Sequence, residues 1–159
     1  MSQAKKVFTR MCLNNWGGID HKVLEFHEYV NLFSGKSGSG KSTVMDAIQV
    51  ILYGSFSPSF LNKAADDAKN RRSVLSYLRG EQKDGSANRR DCDFCSVIAL
   101  EIEDTGTHII TCIGIAFEVR KSDSEIKKFV YFSHSGKMPT SGYLTEQGVC
   151  YSNQEIKKL

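Results

Sequence analysis

Nine residues constrain this chain more than any other stretch: Gly35-Lys36-Ser37-Gly38-Ser39-Gly40-Lys41-Ser42-Thr43. The apolar run Val30-Asn31-Leu32-Phe33 precedes them, and Val44, Ala47, Ile48, Ile51 and Leu52 recur behind them at helical spacing. The pattern predicts a strand, a glycine loop and a helix, which is the context of a Walker A phosphate-binding loop. Gly35, Gly38 and Gly40 open backbone conformations closed to other residues, so the N–H groups of the loop, Ser37 and Ser39 among them, can turn inward around a phosphate chain. The helix starting near Lys41 adds the positive end of its dipole. Lys41 is expected on the β and γ phosphates and the Ser42 hydroxyl on Mg²⁺, with Thr43 closing the motif. A flexible Gly/Ser turn is the plainer alternative.

Composition excludes little. The chain has 159 residues, 40% hydrophobic and 25% charged, enough for one domain with a real core. No apolar stretch reaches membrane-span length and no signal-peptide core follows Lys5-Lys6, so a cytoplasmic protein without membrane contact is expected. Five cysteines, an odd number, point to reduced thiols rather than a disulfide framework. Cys92-Asp93-Phe94-Cys95 has zinc-knuckle spacing but no second pair follows at a usable distance, which favours structural cysteines. The net charge of +3 is unremarkable, yet residues 69–90 hold Lys69, Arg71, Arg72, Arg79, Lys83, Arg89 and Arg90 against Glu81 and Asp84. That stretch is either a solvated helix face and loop or a phosphate-contacting surface.

Along the chain, strands are expected over 7–13, with Val7, Met11 and Leu13 on one side, and over 22–26. The loop helix is expected over 41–53 with Gly54 as its C-cap. Residues 55–70 read as irregular, with a short helical turn around Lys63-Ala64-Ala65. A short helix over 71–79 stops at Gly80, and 81–90 is an exposed loop. Beyond it the period becomes two: 94–102 and 109–119 form a hairpin about Asp104-Thr105-Gly106, 128–132 adds a third antiparallel strand, and Ser152 opens a helix that the last residue interrupts. The last feature favours a cut piece.

A complete NTPase also needs an acid on a neighbouring strand. Val97-Ile98-Ala99-Leu100-Glu101 looks similar, but the run reads as a hairpin strand with one apolar face, unlike a central parallel strand. Asn62-Lys63-Ala64-Ala65-Asp66 misses the guanine-reading motif by one residue, so a guanine switch is not expected.

Leu13-Asn14-Asn15-Trp16-Gly17-Gly18, the antiparallel pair, and the loop continuing into Val44-Met45-Asp46-Ala47-Ile48 together resemble the amino-terminal head segment of SMC-type ATPases. They look most like the MukB-like and MksB-like condensin subunits, including the SMC-like ATPase of Wadjet plasmid-defence systems, the JetC type. Arg71-Arg72-Ser73-Val74-Leu75-Ser76-Tyr77-Leu78-Arg79-Gly80 and the later strands extend the likeness to nearly the whole chain. The resemblance implies an α/β fold: an ABC/SMC-type P-loop ATPase head fragment with a mixed sheet around the Walker A loop plus an antiparallel β meander.

It also implies that residues 1–159 are the amino-terminal half of a head, with the coiled coil, signature motif, Walker B and catalytic glutamate lying elsewhere, so no catalytic residue is expected here. ATP and Mg²⁺ would be bound by residues 35–43, with Arg71 or Arg72 near nucleotide and DNA. Asn15 would be a polar contact, Trp16 a packing residue, and Asp46 solvent-facing or capping. Implied partners are the carboxy-terminal half of the same head, a second head in a homodimer, kleisin-like and accessory subunits, and DNA held through its backbone. Ser37 departs from the Asn frequent at its position, and Gln147 and Gln154 do not suit the family's glutamine loop. Two other readings stay open: a stand-alone P-loop kinase using Glu101 with Arg89 or Arg90, and a nucleotide-dependent interaction module.

Overall fold

The computed structural model describes residues 3–34, 40–58, 61, 73–81 and 87–159. Arg71, Arg72, the first five loop residues and the expected turn around Lys63 lie outside these. Eight elements follow in order: β1 (Lys6–Trp16), β2 (Ile19–Glu25), α1 (Lys41–Tyr53), α2 (Val74–Arg79), β3 (Phe94–Asp104), β4 (Ile110–Val119), β5 (Lys128–Ser135) and α3 (Asn153–Lys157).

The strands form one five-stranded sheet in the order β2-β1-β3-β4-β5. Every pairing is antiparallel. The expected meander is β3-β4-β5, in which Ile98 faces Ile115 and Ile115 faces Tyr131. The mixed sheet is corrected: among the described residues no strand is parallel to another, and the architecture is mostly β with few helices. The strand expected at Val30-Asn31-Leu32-Phe33 does not form. A strand must satisfy its N–H and C=O groups on a neighbour, and no described strand pairs with this segment. Val30 and Leu32 stand in solvent at 75% and 88% exposure, while Phe33 packs edge-on against Phe26.

Pleating sends alternate residues of β1, β3 and β4 to opposite faces, and both faces are covered. On one, Met11, Leu13, Ile98, Leu100, Ile115 and Phe117 meet Val44, Ala47, Val50 and Ile51 of α1; such burial stabilises by about 1.5–3 kcal/mol per large aliphatic side chain. On the other, Cys12, Val97, Ala99, Cys112 and Ala116 meet Met138, Tyr143, Cys150 and Ile156 from the C-terminal segment. β3 is therefore buried on both sides, unlike the single-faced hairpin strand expected from its alternation. A register shift between Phe8 and Arg10 puts Phe8, rather than Val7, against the first cluster.

α1 crosses the sheet from β1 to β5. The Trp16 indole Nε1–H donates to the Thr43 carbonyl at its start (2.9 Å), and the Tyr131 hydroxyl donates to the Gly54 carbonyl at its end (2.6 Å). Gly54 closes the helix in the left-handed conformation at φ +60°. No described helix is long and apolar enough to cross a membrane, which leaves β-barrels unaddressed.

Candidate nucleotide site

The described part of the loop is its last turn and the beginning of α1. Gly40 adopts φ +96°, and no side chain caps the helix. The N–H groups of a first helical turn point out of the helix end, no acidic residue occupies that turn, and an anion is the ligand that fits there. Lys41 is half-buried and Ser42 exposed, whereas Thr43 and Val44 are buried. The donor set suits a phosphate chain with its cation: a lysine, an outward hydroxyl and the end of a helix.

What holds this end in place is a clamp between β1, α1 and α2. Trp16 is fully buried and stacks on Tyr77, with ring centroids 4.9 Å apart and planes 9° from parallel. The Gly17 N–H donates to the Tyr77 carbonyl (2.7 Å), and the Tyr77 hydroxyl donates to the Asp46 carboxylate. Asp46 is 1% exposed, so the solvent-facing role expected for it is corrected. It lies on the α1 face of Thr43, Ala47 and Val50, three and four residues apart, and that face is turned inward. Gly17 has φ +57°, and a Cβ on it would sit 2.6 Å from Thr43 Cγ2. Trp16 is thus a packing residue, as expected, that fixes the helix carrying Lys41 and Ser42.

Asn15, expected as a polar contact to nucleotide, has both ends of its amide engaged within the chain. Its Nδ2 donates to the Cys95 carbonyl (2.8 Å) and its Oδ1 accepts from Arg90 Nε (3.2 Å).

Two of the three arginines described in the basic stretch, Arg79 and Arg90, turn inward. Arg90 is 6% exposed and donates to the carbonyls of Gly17 (3.0 Å), Leu78 (2.8 Å) and Ile19 (2.7 Å). Its burial lowers the guanidinium's pKa, an effect that Asp20 opposes. Arg79 is buried and donates to the carbonyls of Arg120 and Asp123. Arg89 forms a two-pronged pair with Asp20 (2.9 and 2.6 Å), whose hydrogen bonds hold that carboxyl below its usual range. Of the two readings left open for 69–90, a solvated face or a phosphate-contacting surface, Arg79 and Arg90 fit neither because they are interior, while Arg89 is exposed and paired with Asp20; the three fasten the β1–β2 turn, α2 and the approach to β3. The exposed loop expected over 81–90 is corrected at its end too, since Arg90 is interior and Glu81 bridges to Asn88.

Glu101 is 3% exposed, but it lies on the sheet face opposite α1. Thr9 Oγ1 donates to it (2.8 Å), as does the Met138 N–H (2.7 Å), and Cys112 is its cross-strand partner. It cannot serve as the metal-side acid of the phosphate site. The stand-alone kinase reading loses its acid, and of the two arginines assigned to it Arg90 is interior and Arg89 is paired with Asp20.

Among the described residues no group of three His, Cys, Asp or Glu could hold a metal. Cys92 is exposed, Cys95 half-buried, and Cys12, Cys112 and Cys150 buried, none in a disulfide. Burial pushes Cys12 up to about 12 and Cys112 up to about 11, and raises Cys150 as well.

Residues 8–68 match a family described as the P-loop containing region of AAA domain. The chain carries a P-loop region. Such a region implies nucleotide binding, and the exposed start of α1 is where it would occur. A 74-residue segment is 39% identical to the SbcC component of the nuclease SbcCD from Staphylococcus haemolyticus (strain JCSC1435), covering 44% of this chain and 6% of that protein. The chain thus matches a small part of that relative's length.

Tyr77 is the residue that a reading for nucleotide chemistry passes over, and Arg90 the one that it assigns to phosphate rather than to the interior. Tyr77 is hidden among Val74, Leu75 and Leu78 in an apolar helix, and Arg90 among its basic neighbours; neither carries a local signal of its carbonyl or carboxylate partner.

Proposed function

We infer that this chain is the ATP-binding half of an SMC-like ATPase head, coupling ATP-driven engagement of two heads to DNA loading or translocation. One observation carries the reading: the described start of α1 presents Lys41 and Ser42, while the buried acids described are engaged elsewhere. Of the buried acids described, Asp46 is held by Tyr77 and Glu101 lies across the sheet. A hydrolytic acid would then come from a carboxy-terminal half, and the exposed apolar segment before the loop offers a surface for that half to cover. Similarity to an SbcC protein supports an SMC-like head in DNA processing.

The finer placement is a cytoplasmic condensin-like component of the MukB or MksB type, closest to JetC of Wadjet plasmid defence. It rests on Asn15-Trp16-Gly17 and Asp46-Ala47, two parts of one clamp in the fold. Residues 35–43 would hold ATP, with Ser42 on Mg²⁺ and Arg71 or Arg72 nearby. Partners would be a second head, kleisin-like and accessory subunits, and DNA bound through its backbone in a salt-dependent way.

The test is binding of a fluorescent ATP analogue, followed by steady-state hydrolysis, for the chain and its Lys41→Ala variant. Lys41-dependent binding without Lys41-dependent turnover, and turnover restored by adding a carboxy-terminal half, is the expected result. Lys41-dependent turnover by the chain alone would overturn the half-head reading.

A further inference from the structure

Between β2 and the loop, residues 27–31 make a bend that one side chain closes. The Asn31 amide is bonded at both ends to the backbone of His27: its Oδ1 accepts the His27 N–H (2.7 Å) and its Nδ2 donates to the His27 carbonyl (2.8 Å). An Asn amide carries the donor and acceptor of a peptide group, so these are the two bonds that a facing residue of an antiparallel neighbour would make with His27. A second hold lies at the middle of the bend. The Lys5 backbone is fixed on Thr105, donating to its Oγ1 (3.0 Å) and accepting its N–H (2.8 Å). From that post the Lys5 ammonium sits 4.3 Å from the centre of the Tyr29 ring and 3.4 Å from the Glu28 carboxylate.

The bend and a strand exclude one another. Extended backbone advances about 3.3 Å per residue, which would put the Cα atoms of His27 and Asn31 about 13 Å apart. That is well beyond the reach of a short amide side chain. The run Val30-Asn31-Leu32-Phe33 reads as a strand and holds neither a charged residue nor a proline, the usual guards of an exposed strand edge. The bend supplies the guard that its composition lacks.

We propose that Asn31 is a latch that keeps residues 30–33 out of the strand conformation, so that this run pairs with another strand only when the amide lets go of His27. The apparent affinity for a partner strand is then the intrinsic affinity multiplied by the fraction of chains unlatched. For the chain alone, the partner is the same run of a second copy. The latch does not depend on what binds at the start of α1.

The experiment uses the full chain, with exchange of the His27 amide followed by NMR and self-association by sedimentation velocity. Asn31 is exposed, so Asn31→Ala is expected to leave the thermal midpoint unchanged. It should speed His27 exchange roughly fivefold to tenfold, the worth of two solvent-exposed hydrogen bonds, and raise the association constant by more, because both copies must unlatch. Lys5→Ala, which leaves the amide in place, should shift both quantities in the same direction by less. Adding Leu32→Pro to Asn31→Ala removes an N–H that strand pairing needs and should return association to the parent level, whereas Leu32→Ala on the same background keeps that N–H and should retain most of the gain. The proposal is overturned if the His27 amide of the parent exchanges as a free amide, if Asn31→Ala leaves association unchanged, or if Leu32→Pro and Leu32→Ala act alike, which would trace association to apolar side chains rather than to a released strand.

Discussion

At the scale of single residues, two adjacent glycines separate backbone necessity from coincidence. Gly17 is left-handed, and its missing Cβ leaves room for the Thr43 methyl, whereas nothing lies within 4 Å of a Cβ on Gly18. Gly17→Ala is expected to lower unfolding free energy by about 1–3 kcal/mol through backbone strain and overpacking. Gly18→Ala should stay within about 0.5 kcal/mol. Urea denaturation of the two variants is the check, and equal losses would mean that the Thr43 contact does not hold the start of α1. The cysteines sort by the same local logic. Cys92 is exposed, while burial keeps Cys12 and Cys112 protonated well above neutral pH. Only the thiolate reacts. With an aromatic disulfide reagent near pH 8, Cys92 should label first, and Cys12, Cys112 and Cys150 only on unfolding; peptide mapping of the labelled sites decides.

At the scale of elements, local punctuation was readable and long-range partnership was not. α1 begins after Gly40 and ends at Gly54, as its glycines and helical period indicate, and the period-two run from Phe94 onward does form consecutive antiparallel strands. The sequence places Asp46 one residue before Ala47 and four before Val50, a spacing that carries its burial. Its charge pulled the reading toward solvent because its partner, Tyr77, is 31 residues away. Arg90 misled for the same reason: a guanidinium that reads as surface charge becomes interior when carbonyls of the β1–β2 turn and of α2 converge on it. The geometry of Arg90 gives a specific expectation. A lysine keeps the charge but cannot reach Gly17, Ile19 and Leu78 with one planar fork, so Arg90→Lys should cost on the order of 2–3 kcal/mol as carbonyls lose their donors. Thermal unfolding of the variant tests this. A shift no larger than that of an exposed lysine substitution would show that the carbonyls find other donors.

At the scale of the whole molecule, the segment before the loop holds to the described fold by only a few contacts, Lys5 over the Tyr29 ring and Phe33 edge-on to Phe26 among them, and leaves Val30 and Leu32 outside it. Tyr29, Val30 and Leu32 are 78%, 75% and 88% exposed, beside a sheet whose central strands β1, β3 and β4 are covered on both faces. Apolar side chains left in solvent contribute little to the stability of the chain that carries them, but they drive association through the area they would bury. Val30→Asp and Leu32→Asp should therefore leave the unfolding free energy within about 0.5 kcal/mol of the parent, while reducing hydrophobic-dye binding and concentration-dependent self-association in sedimentation. In the half-head reading the same substitutions should also prevent a carboxy-terminal half from restoring Lys41-dependent turnover, although nucleotide still binds. A strand that lacks its neighbour would then gain one only in the assembled head, which accounts for a run of sequence that reads as a strand and lies unpaired in solvent. If Leu32→Asp instead destabilised the isolated chain, the segment would be part of this chain's own core, and the surface assigned to a second half would not exist.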